Sequence, residues 1–146
     1  MVDQKTLDAF EQMWGPFPEP VLLLYKDRTI LATNEMARAV GIPTGIKCFS
    51  LNPEAKGDNC RQCRANVALR EGRTICEESD PNGHHVIGYW MPLKTNSDVY
   101  VHFGIGQAKA LGLAPVSHCE AHTHPTNPHP SRSSSRPPGP EDGPSS

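Results

Sequence analysis

The sequence is poor in aromatic side chains, 6% of 146 residues, and nearly free of charge imbalance, with 14 Lys+Arg against 16 Asp+Glu for a formal net charge of −2. So balanced a chain lacks the uncompensated basic surface that phosphate backbones and anionic lipid headgroups require, which argues against nucleic-acid binding and against an electrostatic membrane role. No apolar run approaches the ~18–20 residues that span a bilayer, and the opening MVDQKTLDAFEQ is polar rather than signal-like. The expectation is a soluble, cytoplasmic protein. Internal repeats, a Gly-rich phosphate loop, HExxH and GxSxG are all missing. The paired carboxylates Glu77-Glu78 fall on opposite sides of an expected strand, so no catalytic set emerges and the chain is not expected to be an enzyme.

Proline, glycine and cysteine are present in quantity: 15, 12 and 5 residues. Eight of the prolines lie between Pro115 and Pro144, and residues 131–146 contain only Ser, Arg, Pro, Gly, Glu and Asp. Such a segment has no apolar side chains to offset an ordering cost of ~1–2 kcal/mol per residue. The expected organisation is an N-terminal helix over 1–16, a domain over 17–106 and a disordered Pro/Ser/His-rich tail over 107–146.

Within the first 106 residues, Leu7, Phe10 and Met13 or Trp14 recur at helical spacing, and Pro16, Pro18 and Pro20 stop that helix. Val21–Tyr25 and Thr29–Thr33 flank the polar turn Lys26-Asp27-Arg28 and predict a β-hairpin. Asn34 is a natural N-cap for a short helix through Val40, with Gly41 as its stop. After an irregular stretch over 44–59, a helix is expected from about Cys60 to Glu71, capped by Asp58 or Asn59 and ended by Gly72. Three strands close the domain: Arg73–Glu78, His84–Leu93 and Val99–Ile105. Alternation along the last two predicts an antiparallel sheet with a buried face.

The order is helix, two strands, helices, three strands, which is an α+β class. Pro20-Val21-Leu22-Leu23-Leu24-Tyr25 with Thr29-Ile30-Leu31-Ala32-Thr33, then Asn34-Glu35-Met36-Ala37 leading to Gly41, and the closing meander together resemble a PAS domain, the small sensory module of bacterial signalling proteins. The resemblance covers about residues 17–106. It implies a five-stranded antiparallel sheet with helices packed on one face, and a role in signal transduction. Gly45-Ile46-Lys47-Cys48, Asp58-Asn59-Cys60-Arg61-Gln62-Cys63 and Leu69-Arg70-Glu71-Gly72-Arg73 are similar to a cysteine-bearing subset of that family, in which a Cys before the middle loop is followed by a CxxC. The flavin-type cysteine motif is not found, and the resemblance assigns no haem ligand.

A reducing cytoplasm makes cysteines metal ligands or redox thiols more readily than disulfide partners. The spacing Cys48-x11-Cys60-x2-Cys63-x12-Cys76 groups four of the five. On a helix, Cys60 and Cys63 would share one face with Cβ atoms about 5–6 Å apart. A helix N-terminus, with Lys47, Arg61 and Arg64 near it, would favour thiolate. The candidate ligands for a tetrahedral zinc or an iron–sulfur cluster are therefore Cys48, Cys60, Cys63 and Cys76. Cys76 stands on the strand face opposite Ile75, so a three-sulfur site completed by histidine or water stays open. So do a thiol–disulfide switch and inert packing without any cofactor. His84-His85 point to opposite faces and read as a turn end; His102 is expected at the surface or under the N-terminal helix. His118-Cys119, His122, His124 and His129 are dense in ligating atoms with nothing to preorganise them.

The expected function is a sensory module reporting redox state, oxygen or metal through a cysteine-ligated centre, the alternative being a cofactor-free protein-interaction module. Without a kinase, cyclase or DNA-binding segment in the sequence, either reading needs a separate output protein such as a kinase or transcription regulator. Leu7, Phe10 and Trp14 are offered for a homodimer contact, or equally for packing on the chain's own sheet.

Overall fold

The computed structural model describes residues 2–57 and 59–113. The helix α1 (Gln4–Trp14) begins where the Asp3 carboxylate accepts the Thr6 N–H, at 2.8 Å. It leads into the hairpin β1 (Val21–Tyr25) and β2 (Ile30–Thr33), then the short helix α2 (Glu35–Ala39), a 3₁₀ turn at Cys48–Leu51 and the helix α3 (Ala65–Glu71). The meander β3 (Ile75–Ser79), β4 (Val86–Pro92) and β5 (Val99–Ile105) follows, with a last short helix α4 (Gln107–Ala110). All strand pairs are antiparallel, in the order β2-β1-β5-β4-β3. The architecture is the expected α+β one, with five strands.

Alternation sends two sets of side chains to opposite faces. Leu22, Leu24, Ile30, Trp90 and Tyr100 meet Ala37 of α2 and Ala65 and Ala68 of α3 on one face. On the other, Val21, Leu23, Val99 and Val101 meet Phe10 of α1, with Leu7, Trp14, Phe17 and Phe103 around them. The run Val21-Leu22-Leu23-Leu24 is apolar throughout because β1 is covered on both sides, and each buried leucine contributes about 2 kcal/mol. Helices α2 and α3 share one face as expected, whereas α1 takes the other and uses Leu7, Phe10 and Trp14 for its own sheet.

Asn34 caps α2 as expected, its Oδ1 accepting from Ala37 N at 3.0 Å and from Val21 N at 2.9 Å. Its Nδ2 donates to the carbonyls of Trp14, Phe17 and Glu19, so one buried amide joins α1, the proline segment, β1 and α2. At the far end of β1, Lys26 to Arg28 makes the turn. Arg28 N donates to Tyr25 O at 2.8 Å, and Arg28 itself sits at φ +76°. A left-handed conformation costs a non-glycine residue about 1–2 kcal/mol.

The chain continues in described structure past Gly106, where the Glu19 carboxylate accepts from Gly106 N at 2.8 Å and Ala108 N at 2.7 Å. The remainder of the expected tail, with Cys119 and His118, His122, His124 and His129, lies outside the described residues, as does the candidate cap Asp58.

Candidate functional site

The segment Gly45 to Cys48 lies along the outer edge of β2. Gly45 N donates to Ile30 O, Ile30 N to Ile46 O and Cys48 N to Arg28 O, all at 2.8–2.9 Å. This covers the free edge of β2 and fixes Cys48 at the mouth of the α3-side core. The Cys60–Cys63 pair comes to the same place from the other side. Its residues form a turn, Cys63 N donating to Cys60 O at 3.0 Å, directly ahead of α3. Both Cys48 and Cys63 pack against the core built on Leu22, Leu24, Ile30 and Tyr100.

The helix expected from Cys60 therefore starts later, at Ala65, with Arg64 as its N-cap. Asn59, one of the two caps expected, instead gives its Oδ1 to Arg28 Nε at 3.0 Å. With the cysteines outside the helix, the expected help from its dipole is lost. Two of the three cations expected near them are paired as well. Lys47 pairs with Asp27 at 2.8 Å and Arg64 with Glu77 at 2.9 Å. Gly72 ends α3 as expected, at φ +64° with its N–H on Ala68 O.

Cys48, Cys60, Cys63 and Cys76 are all free thiols. Burial pushes the Cys48 thiol up to about 11, the Cys63 and Cys60 sulfurs push it the same way, and Arg28 opposes them. Three sulfurs thus share one electrostatic neighbourhood, and near neutral pH Cys48 is held as the thiol. Cys76 stands apart, exposed on the edge strand β3 opposite Tyr89 of β4, and is not among the groups acting on Cys48.

Three soft sulfur donors fit zinc or an iron–sulfur centre by chemistry. Their spacing is not yet a coordination sphere: among the described residues, no three His, Cys, Asp or Glu side chains are gathered closely enough to hold a metal ion as they stand. Closing the corner would require the Cys48 and Cys60–Cys63 loops to move together, and half-buried loop thiols permit that more readily than thiols on a strand.

The sequence reading missed two neighbours. Tyr100, 1% exposed, lies beside the thiols; burial raises its phenol well above the usual range. Arg28, read as part of a polar turn, is 4% exposed, with its guanidinium 5.8 Å from the centre of the Tyr100 ring. No local signal marks it, because Asn59 and Asn66, 31 and 38 residues away, hold its side chain inside. His102 also differs from expectation. It stacks on Trp90 at 4.7 Å on the α3-side face, its Nδ1 on Tyr89 O at 2.8 Å, away from α1. His85 reaches Asp80 at 3.2 Å, consistent with a turn end.

No family model and no curated protein matches the sequence. Among solved structures, a sensory box sensor histidine kinase from Vibrio cholerae is similar at 13% identity and a TM-score of 0.50, over 69% of this chain and 88% of that one. A domain of an HTR-like protein from Haloarcula marismortui shares 23% identity over 60% of this chain and 95% of that one, at 0.48. The PAS domain of BvgS from Bordetella pertussis shares 17% over 75% and 90%, at 0.41.

Proposed function

We propose, from the premise that this chain carries the PAS fold, that it is a sensory module of signal transduction that responds to redox state or metal through the thiols of Cys48, Cys60 and Cys63. The observation that carries this reading is the convergence of those sulfurs, from two separate loops, on one corner of the core. Cys48, Cys60 and Cys63 would supply the thiolate ligands of a zinc ion or iron–sulfur cluster bound there, Cys76 would not, and the cluster would supply electron transfer or the zinc a metal-dependent ordering of the loops. Thiol–disulfide exchange among the same three is the form the site would take without metal. Its state would reach a separate output protein, such as a kinase or transcription regulator, through loop order and the adjoining sheet.

Anaerobic purification followed by metal analysis, visible spectroscopy and thiol counting tests the proposal. Bound zinc or iron that disappears in Cys60→Ser but persists in Cys76→Ser supports it. Colourless, metal-free protein whose three thiols neither take up added metal nor pair on oxidation overturns it.

One observation favours a second reading, a cofactor-free interaction module. The space between the sheet and α3 is filled by Tyr100, Trp90, Ile30 and Leu24, and two surface grooves, one beside Asp3 and Thr6 and one beside Leu7 and Arg38, lie away from the cysteines. Metal-free protein that retains partner binding after Cys48→Ser and Cys63→Ser would select it.

A further inference from the structure

One buried cation stands at the cysteine corner, and its hydrogen-bond partners among the described residues are neutral. Arg28 Nε donates to Asn59 Oδ1 at 3.0 Å, one terminal nitrogen to Lys26 O at 2.6 Å and the other to Asn66 Oδ1 at 2.9 Å. Among the described residues no carboxylate pairs with it. Buried charges in folded proteins are otherwise paired or bound to a counter-ion. The partners it does have are informative. Asn59 precedes Cys60 in sequence, Asn66 follows Cys63 by three residues, and the Arg28 carbonyl accepts from Cys48 N at 2.9 Å. The Arg28 side chain therefore holds the Cys60–Cys63 segment on both flanks, and its backbone carbonyl holds the Cys48 segment.

The backbone adds an independent observation. Arg28 adopts φ +76°, a conformation glycine takes without strain, yet the residue there is a long, charged one. Strain of this kind persists where the surroundings impose it and clusters at functional positions.

We propose that Arg28 is the clamp and counter-cation of the cysteine corner, a positioning residue that fixes the Cys48, Cys60 and Cys63 segments against the sheet and balances the negative charge the sulfurs carry when they grip a soft divalent cation. The clamp stands on the hydrogen bonds alone; the counter-charge rests on the sensing function proposed above. Lysine separates the two roles, because it keeps the charge but lacks the planar fork that reaches three acceptors at once.

The test uses the full chain with Arg28→Gly, Arg28→Lys and Asp58→Asn. Glycine suits the backbone at this turn, so loss of the side chain leaves the hairpin intact, which far-ultraviolet circular dichroism checks. In the metal-free proteins, amide hydrogen exchange over residues 59–66 should accelerate at least about tenfold in both Arg28 variants, while exchange over β4 stays as in the parent. Cd2+ titration, followed by its sulfur-to-metal ultraviolet band, should show affinity about tenfold weaker in Arg28→Gly and largely recovered in Arg28→Lys. Asp58→Asn should leave both readouts unchanged.

Unaltered exchange in Arg28→Gly overturns the clamp. Equal Cd2+ affinity in Arg28→Gly and the parent overturns the counter-charge, as does an Asp58→Asn variant that reproduces the loss. If the parent takes up no Cd2+, the counter-charge and the metal form of the sensing function both fall, and the exchange data decide the clamp on their own.

Discussion

Among single residues, Asn34 and Cys48 carry the clearest consequences. Asn34 is fully buried and satisfies two backbone N–H groups and three carbonyls at the junction of α1, β1 and α2. Asn34→Ala leaves those groups without partners and should destabilise the protein by roughly 3 kcal/mol, read from urea unfolding. Cys48, raised to about 11 chiefly by burial, keeps its proton in the folded state at pH values where the unfolded chain, near its ordinary 9.0, has lost it. The unfolded state therefore binds fewer protons above pH 9, and stability falls as pH rises from about 9 towards 11. Tyr100 adds to the loss past pH 10, since its phenol is shifted the same way by burial. Thermal unfolding between pH 8 and 11 checks this, and Cys48→Ala should flatten the first part of the decline. In a mass-spectrometric alkylation series at pH 8, the exposed Cys76 should react at least about tenfold faster than Cys48. Of these residues the sequence announced Asn34, whose place before an apolar helical stretch is a local signal. Arg28 and Tyr100 it did not, because Arg28 is held by Asn59 and Asn66 and Tyr100 is packed with Leu22, Leu24 and Ile30, all distant in sequence.

At the level of elements, the strands were legible and the helix after the middle loop was only half so. The apolar residues Val99, Val101 and Phe103 recur with period two and face α1, and that alternation marked β5 to the residue even though Tyr100 between them is buried on the other face. The start of α3 was misplaced by five residues because Asn59 bonds the Arg28 side chain rather than capping, and local sequence cannot reveal a competing partner 31 residues away. The junction from β5 to α4 is equally non-local. Gly106 takes φ +94°, and a Cβ there would stand 2.4 Å from the His85 carbonyl oxygen. Gly106→Ala should therefore cost about 2–3 kcal/mol in urea unfolding, through backbone strain together with the clash.

For the whole molecule, two cores back to back on one sheet make the described fold, and none of its helices is long and apolar enough to cross a membrane. Removing residues 131–146, which offer no apolar side chains, should shift the melting temperature by no more than about 2 °C. A larger drop would show that the segment contributes to the fold. What the sequence determined by itself was the α+β class, the hairpin and meander, the Asn34 cap and the Gly72 stop, since each rests on periodicity, turn chemistry or the order of such local signals. Tertiary structure alone decided that α1 covers the face opposite α3, that Cys76 stays outside the corner, and that a turn arginine is drawn inside. Those outcomes depend on which distant segments meet across the sheet, and burial, unlike propensity, is a property of the assembled chain.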